Sequence, residues 1–277
     1  MTQPQLARHL PPGRWPPGRW PPGRSPLGRL PLGRLLRGAM LMLAASIIAP
    51  AAARACNPVS RDFPGTVQVY AGRIGTYPVR VGLQFGPHGD VVGRYGYAGS
   101  VGTIPLDGRL AGSALTLTEH GGPAGAVSGR FAGRMRVIAR DCGFTGTWTS
   151  ASRGKPLRVR LRASDSSFRK IAYYTTPTAL RIEHAAVALR AAILAARRAD
   201  VAAAVRYPVF VSLGGKRTRL TSAAALLAHY DEIFTPAFVA SVRAAIPHMM
   251  FVRDQGTMLG DGQLWFDDAG QAIAINN

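Results

Sequence analysis

Between Thr66 and Leu161 apolar and polar residues alternate with period two in short runs, TVQVYAGRI, YPVRVGLQF, DVVGRYGY, GRLAGSALTLTE, SGRFAGRM, FTGTWTS and KPLRVRLRA. Alternation of this kind puts one set of side chains on each face of a strand, and the glycines between runs supply turns. Seven or more such strands predict an all-β antiparallel meander or small barrel. The fragments VGRYGY, DGRLAG and SGRFAG share one phrase, but Gly93, Gly108 and Gly129 are unequally spaced, which fits hairpins rather than a solenoid.

The pattern changes after a polar stretch, SDSSFRK, read as a linker. Thr176 followed by Pro177 marks the start of an Ala-rich helix running to about Asp200, where Arg197 and Arg198 suit the negative end of the helix dipole. YPVFVSL reads as a strand, Gly214 and Gly215 as a turn, and Thr221 or Ser222 as the cap of a second helix through LLAHYDEIF. Thr235 and Pro236 open a third helix, FVASVRAAI, which Pro247 stops. Strands follow around MMFVRD, TML, QLWF and AIAIN. The expected organisation is a leader at 1–55, an all-β module at 56–165, and a small α+β module at 166–277 with helices packed on an antiparallel sheet.

The leader changes how charge is read. The whole chain carries 34 basic and 14 acidic side chains, a net +20, but residues 1–55 hold eight arginines and no acid, so 26 − 14 = +12 remains. The leader holds the repeat PPGRW PPGRW PPGRS PLGRL PLGRL from Pro11 on, too rich in proline and glycine to pack a core. Its arginines and Trp15 and Trp20 could stack on nucleic acid or meet anionic lipid. The apolar run AMLMLAASIIAPAAA and the small residues Ala53 and Ala55 favour a secretory signal with a long basic front, and no nucleic-acid partner is expected. The apolar run of 15 is short of the roughly 20 residues of a membrane span, and no transmembrane helix is expected in the mature chain. Translation from Met40 would remove the repeat altogether. The expected location is periplasmic or secreted.

An exported chain with two cysteines, Cys56 and Cys142, is expected to join them, which would stabilise the fold by about 4 kcal/mol in the chain-entropy treatment. The competing reading attaches lipid to Cys56 directly after the cleavage site, although Ala53 stands where a lipobox carries leucine. Two cysteines make no zinc site, the six histidines are scattered, and neither a metal nor a cofactor is expected.

The stretch AHYDEIFTPAFV groups His229, Tyr230, Asp231 and Glu232. Neighbours one and two apart on a helix point different ways, so the four cannot share a pocket. The favoured reading is a helix corner with Tyr230 in the core, His229 and Glu232 remaining the one conceivable acid and base pair. The segments YPVFV, LLAHYDEIFTP, GTMLGDGQLWF and AIAIN, over roughly 204–277, resemble the C-terminal module of a group of uncharacterised secreted bacterial proteins, several with a β-rich module in front. The resemblance implies an α+β fold of NTF2-like or cystatin-like type, a helix wrapped by a curved sheet, and carries no catalytic residues.

Short motifs fail on context. The S-x-x-K matches at Ser152 and Ser167 lie in a hairpin and a linker without companion motifs, and the Gly214-Gly215-Lys216 turn lacks the rest of a phosphate loop. What remains is charge. Arginines recur beside turns at Arg94, Arg109, Arg130 and Arg134, and RVRLR puts Arg158, Arg160 and Arg162 on one strand face as a candidate anion-binding row. The expected role is non-catalytic binding of an anionic envelope polymer or lipid head groups. The alternatives are a hydrolase or isomerase pocket in the α+β module, using Asp254 or Glu232, and a purely structural spacer. Nothing in the sequence speaks to oligomeric state.

Overall fold

The structure is a computed structural model that describes residues 56–58, 65–152, 154–167, 169–253 and 255–277, all inside the compact unit Pro50–Asn277. The leader, with the signal reading placed on it, and Asp254 lie outside the described residues.

The alternating segment forms eight strands, β1 (Val67–Ile74), β2 (Tyr77–Phe85), β3 (Asp90–Tyr97), β4 (Ile104–Ala111), β5 (Ala114–Glu119), β6 (Gly129–Ile138), β7 (Asp141–Ser150) and β8 (Leu157–Ser167). Each pairs antiparallel with its sequence neighbour, and β1 with β8 closes the barrel. Closure removes both edges, so every strand is paired on both sides. The SDSS stretch read as a linker is the end of β8, because pairing with Val67 to Val69 of β1 satisfies its backbone. The β6–β7 hairpin turns on Ala139 and Arg140, both at positive φ (51° and 82°), a conformation that no glycine advertises.

One residue in two points inward. Tyr70, Val81, Leu83, Tyr95, Leu115, Phe131, Met135, Phe144 and Leu161 belong to a continuous buried cluster, so the barrel is filled by its own side chains. The disulfide Cys56–Cys142, with Cα atoms 5.6 Å apart, ties the chain before β1 to the start of β7. The Cys56 sulfur is therefore not free to carry a lipid.

The second half begins with α1 (Pro177–Leu194), capped by Thr176, whose side chain accepts from the Ala179 amide. The helix expected to reach Asp200 breaks at Ala196 (φ 51°), and α2 (Arg198–Ala203) follows. β9 (Val209–Leu213) and β10 (Lys216–Leu220) form a hairpin whose second strand, KRTRL, has no apolar alternation to betray it. The expected second helix divides at His229 into α3 (Ala223–Ala228) and α4 (Tyr230–Ile233), and α5 (Pro236–Ala244) follows with Thr235 as its cap. β11 (Phe251–Arg253), β12 (Gly256–Leu259), β13 (Leu264–Phe266) and β14 (Ala272–Ile275) make a four-stranded antiparallel sheet. Ile182, Leu189, Leu226, Ile233, Val242 and Phe266 share one core that joins helices to sheet.

The two halves meet on the outside of β1 to β3. Val67 and Val69 point out of the barrel and form a buried cluster with Tyr174 and Met249. Gly82 and Gly96 receive the Met249 and His248 side chains; a Cβ at either glycine would collide with them. These glycines act as sockets for the second half, a role beyond hairpin grammar. Arg80 crosses the seam, donating to the Met249 carbonyl at 3.3 Å and pairing with Asp165.

Candidate functional site

Outward positions on β6, β7, β8 and β1 build one flank of the barrel. β8 shows Arg158, Arg160 and Arg162, all exposed, alternating with the buried Val159 and Leu161. Strand register extends this row sideways. Arg160 lies opposite Arg73 of β1 and opposite Thr145 of β7, and Thr145 in turn lies opposite Arg134 of β6. Thr147 faces Arg158 across the β7–β8 pair, and Arg130 faces Thr149 across β6–β7. Strands are about 4.8 Å apart and alternate residues about 6.7 Å along a strand, so the guanidinium groups form a two-dimensional array.

No ion pair links Arg73, Arg130, Arg134, Arg158, Arg160 or Arg162 to a carboxylate among the described residues. Arg73 donates to the Thr76 carbonyl at 2.6 Å and Arg134 to the Ser113 hydroxyl at 3.2 Å. Arg73 and Arg160 stand directly opposite one another, an arrangement of like charge that costs stability until an anion sits between them. Thr145 Oγ1, between Arg134 and Arg160, is buried with no hydrogen-bond partner among the described residues. The other flank differs. There register puts Asp90 opposite Arg109, Asp107 pairs with His120, and Arg94 donates to the Thr103 side chain (2.7 Å) and carbonyl (2.9 Å). Among the described residues Asp107 is ion-paired and Asp90 stands opposite a base, Arg94 and Arg109 make no ion pair, and Asp165 of β8 is taken by Arg80 of β2.

A second cluster closes one end of the barrel. Glu119 follows Leu115 and Leu117 at inward positions of β5 and is 4% exposed. Its Oε2 accepts from the Tyr95 hydroxyl (2.7 Å) and the Trp148 indole (2.6 Å), and its Oε1 from Ser128 (2.6 Å). Gly129 lies opposite Glu119 in the β5–β6 pair, and only a residue without Cβ leaves room there for the indole. Burial, the Tyr97 hydroxyl and Glu119 together push the Tyr95 hydroxyl far above the ordinary tyrosine range. Three donors hold the carboxylate in place, so this network fixes the barrel end. Sequence reading passed over Glu119, yet the signal is present: in LTLTE it falls in register with two inward leucines.

At the seam His248, wholly buried, directs Nε2 at the Tyr97 carbonyl (2.9 Å) and Nδ1 at Glu183 Oε1 (3.3 Å). A cavity of about 10 Å³ beside Glu183 and Thr257 has the room of one water. His229 and Glu232 meet at 3.4 Å on the surface, both about half exposed. Tyr230 is buried against Phe234, ring centroids 4.5 Å apart. The pair lies at the surface, and Tyr230 anchors the helix corner in the core. Among the described residues no His, Cys, Asp or Glu side chains gather in threes as metal ligands, and no helix is long and apolar enough to cross a membrane.

No family model and no curated protein matches the chain. Solved structures to which it is similar include the rhizavidin–biotin complex, at 15% identity over 35% of this chain and 99% of that one, with a TM-score of 0.30. Short afifavidin without ligand is 21% identical over 37% of this chain and 94% of its own, with a TM-score of 0.27. Intact afifavidin without ligand is 17% identical over 40% and 87%, with a TM-score of 0.28.

Proposed function

We propose that the chain is an exported, non-catalytic envelope protein that holds an anionic component, a polymer or lipid head groups, on the basic flank of its barrel. The observation that carries this reading is the clustering of arginines that strand register brings together on one flank. A genome that simply favours arginine would scatter it without regard to acids, whereas Arg158, Arg160, Arg162, Arg73 and Arg134 share a flank on which no carboxylate pairs with them among the described residues. Guanidinium groups bind phosphate and carboxylate through paired hydrogen bonds, and an array concentrates such anions electrostatically. Export is supported by the leader's sequence and by the disulfide, a bond that persists in oxidising compartments. The second half is read as the α+β module of the secreted proteins it resembles, buttressing the barrel at the seam.

The test uses the unit Pro50–Asn277, because removing the second half would bare Val67 and Val69. Soluble polyphosphate should bind weakly at low salt and release as the Debye length shrinks. Replacing Arg158, Arg160 and Arg162 together by Gln should abolish most of the binding. Affinity indifferent to both salt and the triple change would refute the reading.

A further inference from the structure

Connections β1–β2, β3–β4, β5–β6 and β7–β8 all lie at one end of an up-and-down barrel. Three of them carry the exposed apolar side chains Tyr77 (59%), Val101 (63%) and Val127 (41%). Val92 and Val137, the barrel's other large apolar residues exposed among the described ones, sit toward the opposite end. The Tyr77 ring leans edge-on against Tyr97, 6.1 Å between centroids, at the rim of the Glu119 network. The basic flank runs up to this same end. Arg73 precedes the β1–β2 turn, the Gly75 amide in that turn bonds to the Arg158 carbonyl at 2.8 Å, and Arg130 is the second residue of β6. Exposed Lys155 stands in the fourth connection.

Resting on the basic-flank reading, we infer that this end of the barrel docks on an anionic phospholipid surface, with Tyr77, Val101 and Val127 entering the headgroup region and Arg73, Arg130 and Arg158 bound to phosphates. Charge complementarity alone would equally suit a soluble polyanion. The apolar tips decide the partner, because a dissolved polymer offers nothing to bury them and a bilayer interface does. Tyrosine suits that depth, with an apolar body and a hydroxyl that stays wet. The arginines also spread over three strands, β1, β6 and β8, instead of following one line, and a lipid surface presents phosphates in two dimensions.

Sedimentation of Pro50–Asn277 with phosphatidylglycerol-containing vesicles, phosphatidylcholine vesicles and soluble polyphosphate separates the cases. Phosphatidylglycerol vesicles should carry the protein down at low salt, and phosphatidylcholine vesicles should not. Arg73→Gln and Arg158→Gln should each weaken vesicle binding about five-fold. The pair Tyr77→Ser and Val101→Ser should weaken it while leaving polyphosphate binding unchanged; Val101→Ser alone serves if the pair disturbs near-ultraviolet circular dichroism. Polyphosphate binding without vesicle binding, or vesicle binding indifferent to the apolar tips, overturns bilayer docking and leaves the basic-flank reading intact. Failure to bind either partner overturns both.

Discussion

Glu119 offers a quantitative handle on the barrel. In Glu119→Ala the Trp148 indole loses its acceptor, and the Tyr95 hydroxyl keeps only the Tyr97 hydroxyl at 3.3 Å. A buried donor left without a partner costs about 1–3 kcal/mol, more when the bond removed was to a charge. One stranded indole, a tyrosine left with its weaker bond and a lost serine bond therefore predict a destabilisation of about 3 kcal/mol. Glu119→Gln is the control. Its carbonyl oxygen can take the Oε2 position and accept from both Tyr95 and Trp148, while its amide donates to Ser128, so only the charge is lost and the cost should be about 1 kcal/mol. Urea titration of the oxidised protein at constant m, followed by tryptophan fluorescence, measures both. Equal costs for the two variants, or a cost below about 1 kcal/mol for alanine, would mean that the network does not hold the barrel end.

Alkaline pH should weaken the fold through its buried tyrosines. Burial pushes the Tyr174 hydroxyl up to about 12 from an ordinary 10.0, and pushes Tyr70 higher. The folded chain keeps these protons where the unfolded chain releases them, so their stabilising effect is full below pH 10 and is lost as pH climbs from 10 through about 12. Unfolding free energy that stays flat across that window would contradict the burial. At the helix corner, His229→Gln should leave stability within about 0.5 kcal/mol, whereas Tyr230→Ala should cost about 3 kcal/mol through lost packing. The Tyr230 hydroxyl has no partner among the described residues, so Tyr230→Phe should be neutral or slightly stabilising by thermal unfolding.

The sequence determined by itself whatever is encoded locally. Period-two alternation carried the strands of the barrel, because a sheet with one buried face leaves that mark residue by residue. Caps at Thr176, Ser222 and Thr235 announced helix starts, because a side-chain oxygen and a following amide are neighbours along the chain. The pairing of Cys56 with Cys142 followed from there being only two cysteines. Tertiary structure decided what depends on residues far apart. Whether the meander would close rested on β1 meeting β8, some 90 residues away, which no local pattern reports. The row Arg158, Arg160 and Arg162 was legible along β8, but its extension to Arg73 and Arg134 is a matter of register between strands. The break at Ala196 and the turn at Ala139 and Arg140 carry no glycine, so nothing in the local sequence marks the positive φ that they adopt. Gly82 and Gly96 lie inside the strand runs with no local mark of their role, which Met249 and His248 supply by filling them, for the absence of a side chain shows its purpose only when its neighbour arrives.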